Sequence, residues 1–315
     1  MNRKLRIVYM GTPDFAVPAL RSIHEAGYEV AAVVTAPDKP AGRGLQLHSS
    51  PVKQYALSQN IPVLQPVKLK DPEFIEALKS FNANIQVVVA FRMLPEVVWQ
   101  MPELGTFNLH ASLLPDYRGA APINWAVING EKETGVTTFF LKHEIDTGDI
   151  IFQEKIAIEA DEDAGSVHDR LMNAGAGLIL KTLKAIEANN IKTIPQIIDH
   201  EPKQAPKLFK ENCKIDWKNK NLDELHNFIR GLSPHPTAWT TLDSKVLKIY
   251  KTAKEPGQTN ADPGTIITDQ KTYFKIAANG GYLQLLELQL EGRKRMGVEE
   301  FLRGNTVKGG KINNY

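Results

Sequence analysis

A single cysteine, Cys213, in 315 residues leaves the chain no internal disulfide and no multi-cysteine zinc site. That scarcity fits a reducing, cytoplasmic setting. No run approaches the ~20 apolar residues needed to span a bilayer, so no membrane partner is expected. The start, Asn2-Arg3-Lys4-Leu5-Arg6, is basic, but the apolar run Ile7 to Met10 is too short for a signal peptide. Three catalytic signatures are also missing. The Gly-x-Gly-x-x-Gly fingerprint does not follow the first strand, which weakens a dinucleotide reading. Neither a phosphate-binding Gly-Lys-Ser/Thr loop nor a nucleophile elbow occurs, so covalent catalysis is not expected. Beside the one promising His and Asp, a third and fourth metal ligand are lacking at any recognisable spacing, and no metal is expected. The chain holds no internal repeat and no low-complexity tract.

What is present describes an ordinary globular protein. The 42% hydrophobic content permits a substantial core, and the length is a soft prior for two domains. The net charge of +2 hides an asymmetry. Residues 1–205 carry 20 Lys+Arg against 24 Asp+Glu, whereas residues 206–315 carry 18 against 12. A C-terminal third at +6 beside an N-terminal part at −4 suggests a polyanion partner for the former, although a solvated basic face would look the same.

The chain is organised around Gly105-Thr106-Phe107-Asn108-Leu109-His110-Ala111-Ser112-Leu113-Leu114-Pro115-Asp116-Tyr117-Arg118-Gly119. Thr106, Phe107 and Leu109 suit a buried strand; Pro115 and Gly119 end it. Strand alternation puts Asn108 and His110 on one face. They therefore emerge together at a strand's carboxyl end, where open α/β sheets place their ligand crevice. A second polar cluster, Asp146-Thr147-Gly148-Asp149, lies further on. Amide, imidazole and carboxylate are the parts needed to stabilise an oxyanion and to manage a proton. Asp146 beside His110 would be the counter-charge of an imidazolium, or a proton relay. Asp149 reads as a plain turn residue.

The rest of the N-terminal part alternates strand and helix. Leu5 to Met10, Val30 to Thr35 and Ile85 to Ala90 read as buried strands of a mostly parallel sheet. Phe15 to Ala26 reads as a helix, and Ser50-Pro51 and Asp71-Pro72 each supply a cap with proline at the first helical position. Asp163-Ala164-Gly165-Ser166 opens a long helix to about Asn189. The stretch 36–48, with two prolines and Arg43 between two glycines, reads as a functional loop. The predicted fold is a Rossmann-like α/β domain at 1–190, a proline-rich linker at 191–206, and a basic OB-like β-barrel domain at 207–315. In the last, Arg293-Lys294-Arg295 makes a compact basic knot.

Asn108-x-His110 followed by Ser-Leu-Leu-Pro and Arg-Gly-Ala-Ala-Pro resembles the folate-dependent formyltransferase superfamily, a long and specific match. The likeness is greatest to the branch that formylates an aminoacyl-tRNA. It implies Asn108, His110 and Asp146 as catalytic residues and Ser112, Leu113, Leu114 and Pro115 as a border of the folate site. It implies 10-formyltetrahydrofolate as co-substrate, initiator methionyl-tRNA as partner, and a cytoplasmic monomer. Arg43, Arg293, Lys294 and Arg295 are expected to touch the tRNA, Arg43 through an insertion loop near the acceptor stem. The chain departs from the family pattern at Phe91-Arg92 and at Lys142-His143-Glu144-Ile145. The alternatives are a formyltransferase for a sugar nucleotide or purine precursor, a formyl-folate hydrolase, and a catalytically silent RNA-binding protein.

Overall fold

The structure, a computed structural model, describes residues 3–41 and 46–312. The chain forms two compact units. One comprises the chain up to Gly119, Gly135–Ile156 and His168–Lys203; the other comprises Ala120–Thr134, Ala157–Val167 and the chain from Gln204.

The first unit is built on a seven-stranded sheet. Its order is Ile150–Ala157, Glu133–Phe140, Thr106–His110, Ile85–Val89, Arg6–Gly11, Glu29–Val34 and Val63–Leu64. The five strands from Thr106–His110 to Val63–Leu64 pair in parallel; Glu133–Phe140 pairs antiparallel to Thr106–His110. Ile7, Val8, Tyr9 and Met10 are all fully buried, as a strand covered on both faces requires. Chain order reverses about Arg6–Gly11, so a crevice is expected at the strands' carboxyl ends. Thr106–His110 ends on that same edge, one strand away from the reversal.

The helices begin where their caps predict. Ser50 Oγ accepts the Lys53 N–H at 3.1 Å and starts Pro51–Ser58; Asp71 accepts the Glu73 N–H at 3.1 Å and starts Pro72–Ser80. A short 3-10 turn, Asp14–Ala16, precedes the helix Val17–Glu25, where a continuous helix is read from the sequence. The stretch 36–48, read as a loop, contains a small antiparallel ribbon in which Lys39 faces His48 and Ala41 faces Gln46. Pro40 is tolerated there because a two-stranded ribbon is all edge. Asp38 anchors its base, with Oδ2 2.5 Å from Lys53 Nζ and Oδ1 2.8 Å from Gln65 Nε2. These bonds hold its carboxyl below the usual range.

The second unit carries an OB-like sheet in the order Ala238–Leu242, Lys245–Pro256, Gly281–Leu290, Phe274–Ala278, Thr265–Thr268, Gly310–Lys311. Its described pairings are antiparallel, and register shifts around Lys251 curl it. The helix Leu222–Leu232 closes it. Asn221 and Glu224 form a capping box at its start, while Leu225, Ile229 and Leu232 are buried against the sheet. Trp217, fully buried, donates its indole N–H to Thr240 Oγ1 at 3.2 Å, which satisfies its polar end. Among the described residues no helix is long and apolar enough to cross a membrane.

Candidate active site

Strand alternation carries Asn108 and His110 to the end of Thr106–His110, where Asn108 is half-buried and His110 is 7% exposed. His110 Nε2 donates to the Tyr117 carbonyl at 2.8 Å, because a carbonyl can only accept. That fixes the ring. Nδ1 then faces Asp146, whose Oδ2 lies 3.8 Å away, an ion-pair distance rather than a hydrogen bond. The Asn108 carboxamide makes no hydrogen bond to any described residue. Its N–H groups are available where a half-buried amide would ordinarily be paired.

Asp146 sits in a tight turn with φ +55°, a conformation that costs a non-glycine residue about 1–3 kcal/mol. Its side chain is 12% exposed, and Oδ2 also accepts the Gly119 N–H at 3.1 Å. Gly148 permits the turn, since a Cβ there would lie 1.6 Å from the Phe140 carbonyl oxygen. Asp149 pairs outward with Lys142 at 2.8 Å.

The loop beyond His110 is held from inside. Ser112 is fully buried; its hydroxyl donates to the Asp116 carbonyl at 2.6 Å, and its own carbonyl accepts from Thr137 Oγ1 at 2.6 Å. Gln153 Nε2 donates to the Leu114 carbonyl at 2.9 Å, and Leu114 packs against Phe139 and Ile150. Leu113 and Pro115 are half-buried. Ser112 and Leu114 thus set the loop's shape with side chains turned inward.

One participant is invisible in the sequence. Ile194 and Ile150 exchange two backbone hydrogen bonds of 2.8 Å, which brings residues 194–203 back to the site. Gln196 then donates to the carbonyls of Asp146 (2.8 Å) and Gly148 (2.9 Å) and accepts from Arg118. Arg118 is thereby engaged within the protein. Farther along, Asp116 Oδ1 accepts from His200 Nε2 at 3.1 Å and from the Lys203 N–H at 2.9 Å. Hydrogen bonds to Asp199 and Asp116 push the His200 ring above its ordinary pKa. The Ile-Pro-Gln context gives no periodic or motif signal for any of this.

In the second unit Arg293, Lys294 and Arg295 are all exposed on a turn. Arg295 is committed to Glu287 and lies 4.3 Å over the Tyr250 ring. In the same unit, Lys210 and Lys214 stack on Trp239 at 5.8 and 5.7 Å, and Phe209 is 55% exposed. That mix of cations and aromatics suits a nucleic acid and was not singled out from sequence. Arg43 lies outside the described residues. Among the described residues no three His, Cys, Asp or Glu side chains are grouped to share a metal.

The fold and this strand end define a class. The family model described as "Formyl transferase" matches residues 4–183, and "Formyl transferase, C-terminal domain" matches residues 207–306, so the chain is built as a two-part formyl transferase. A solved structure of HypX from Aquifex aeolicus in complex with tetrahydrofolic acid shares the fold, with TM-score 0.66 and 17% identity. The match covers 99% of this chain, which spans about half of that one (51%). Much nearer in sequence are a methionyl-tRNA formyltransferase of Bacteroides fragilis, 56% identical with 95% of both chains covered, and one of Phocaeicola vulgatus, 57% identical with 96% of both covered. The chain belongs to the methionyl-tRNA formyltransferase family.

Proposed function

We propose that the chain transfers the formyl group of 10-formyltetrahydrofolate to the α-amino group of methionyl initiator tRNA. The observation that carries this reading is the convergence of the Asn108 amide, unpaired among the described residues, the Nδ1 edge of His110 and the Asp146 carboxylate at one strand end. The names of the close relatives support the choice of acceptor.

The neutral amine attacks the formyl carbon, and negative charge develops on the formyl oxygen. Asn108 donates an N–H to that oxygen. His110 has its Nε2 proton committed to Tyr117, so it donates from Nδ1 only as the imidazolium, and Asp146 pairs with that charge. Asp146 also accepts the proton shed by the amine, directly or through water. When the tetrahedral adduct collapses, the bond to the folate nitrogen breaks and that nitrogen leaves with the proton that Asp146 had accepted, returned directly or through water.

On this reading Ser112, Leu113, Leu114 and Pro115 border the folate, chiefly through backbone. Arg43, Arg293, Lys294 and Arg295 contact tRNA, and residues 1–190 and 207–315 act as catalytic and tRNA-binding domains about a 191–206 linker. The protein works as a cytoplasmic monomer. The test is a transfer assay with 10-formyltetrahydrofolate that compares methionyl initiator tRNA, methionyl elongator tRNA and free methionine. Rapid formylation of the first and slow reaction of the others is expected. Equal rates on all three, or none, would overturn the reading.

A further inference from the structure

We propose that Gln196 is a positioning residue for this transfer, holding the Asp146 turn opposite His110; the inference rests on the reading above. The carboxamide is used at every atom. Oε1 accepts from Arg118 Nη2 at 2.5 Å and Nε at 3.2 Å, and Nε2 donates to Asp146 O at 2.8 Å and Gly148 O at 2.9 Å. Asp146 has φ +55°, so its turn depends on surrounding bonds to persist. Arg118, gripped by the same carboxamide, adjoins Gly119, whose N–H binds Asp146 Oδ2 at 3.1 Å. One side chain therefore braces Asp146 at its backbone directly and at its carboxylate through the neighbouring loop.

The surroundings argue against a chance contact. Ile194, Ile197 and Ile198 are 57%, 75% and 55% exposed, whereas Gln196 between them turns inward. The segment is pinned on both sides, by the Ile194–Ile150 pair and by Asp116 with Lys203. Only a carboxamide meets the demand for two donors and one acceptor. Glutamate keeps the size and the acceptor for Arg118 but loses both donors and turns a negative oxygen toward two carbonyls.

The experiment compares the unaltered full chain with Gln196→Glu and Gln196→Met, measuring kcat, KM for methionyl initiator tRNA and for 10-formyltetrahydrofolate, and Tm. A small displacement of a catalytic group typically costs up to about 100-fold, so kcat should fall about 10–100-fold in Gln196→Glu. Both KM values should stay within about twofold, the mark of an interaction that matters in the transition state rather than in binding. Gln196→Met should show the same split, and it decides the matter if the glutamate variant does not fold. Wild-type kcat in either folded variant would overturn the proposal. So would a loss of kcat that only tracks a fall in Tm with both KM values rising in step. Failure of the unaltered chain to formylate methionyl initiator tRNA is a separate result: it would overturn the functional reading, and this inference with it.

Discussion

Around His110 several polar groups are tied to backbone: Nε2 to the Tyr117 carbonyl, Asp146 Oδ2 to the Gly119 N–H, and Gln196 to two more carbonyls. At the Arg293–Arg295 turn the charges stand in solvent, and among the described residues only Arg295 has an acidic partner, Glu287. The first arrangement fixes groups before any ligand arrives, which is what stabilising a developing charge requires. The second leaves long cations exposed in solvent, and on the reading proposed above a polyanion would gain affinity there by counterion release more than by geometry. A tightly bonded polar cluster and a solvated basic turn thus occupy different stretches of one chain.

Breaking the rigid side should have the largest effect. Asn108→Ala is expected to lose ~10²–10³ in kcat, the usual cost of one oxyanion donor. His110→Ala and Asp146→Ala should lose at least as much. All three should still bind tRNA, measured by filter binding. Gly148→Ala comes next. Its methyl group would meet the Phe140 carbonyl at 1.6 Å, so the turn must open. A stability loss of about 1–3 kcal/mol is expected from overpacking of this kind. Thermal melts would show it, and turnover should fall as Asp146 moves.

On the adaptable side, replacing Arg293, Lys294 and Arg295 together with alanine should weaken tRNA binding and flatten its salt dependence. Each lost phosphate contact removes about 0.7–0.9 from the log–log slope. Arg295 should contribute least, since Glu287 and Tyr250 already engage it. Donor binding should be unchanged. Superimposable salt curves would remove this turn from the tRNA surface.

The smallest effects concern two histidines of opposite sign. His226 is 2% exposed; burial, followed by the influence of Arg230 and Lys254, pushes its pKa down despite Asp161. Its folded pKa lies below the ordinary 6.5, so stability is lost as pH falls through that region. His200 is raised by Asp199 and Asp116, so its contribution is full below 6.5 and is lost as pH rises through the higher folded value. His200 is half-exposed, so its effect should be the weaker. Tm measured from pH 5 to 8.5 (roughly spanning both titrations) should show His226→Gln flattening the acid side and His200→Gln the neutral side.

Local signals made much of this legible. The alternation in Thr106–His110 places Asn108 and His110 on one face, and the Ser50-Pro51 and Asp71-Pro72 pairs start helices where they stand. The hidden parts depend on distant partners. Gln196 reaches Asp146 across fifty residues (|i−j| = 50) through a carboxamide that no periodicity marks. Asn124 Nδ2 on the helix Pro122–Ile128 donates to the Gly231 carbonyl at 2.8 Å, a contact that nothing in either segment announces. The ribbon at Lys39–Ala41 was obscured by Pro40, which argues against a central strand but not against an edge.

The central claim is that His110 and Asp146 act as one unit. The most direct test is single-turnover formyl transfer to saturating methionyl initiator tRNA by His110→Ala, Asp146→Ala and the double variant. Residues that act together are strongly non-additive, so the double variant should be about as slow as the slower single one. Rate losses that multiply in the double variant, or a near-wild-type rate in either single one, would contradict it.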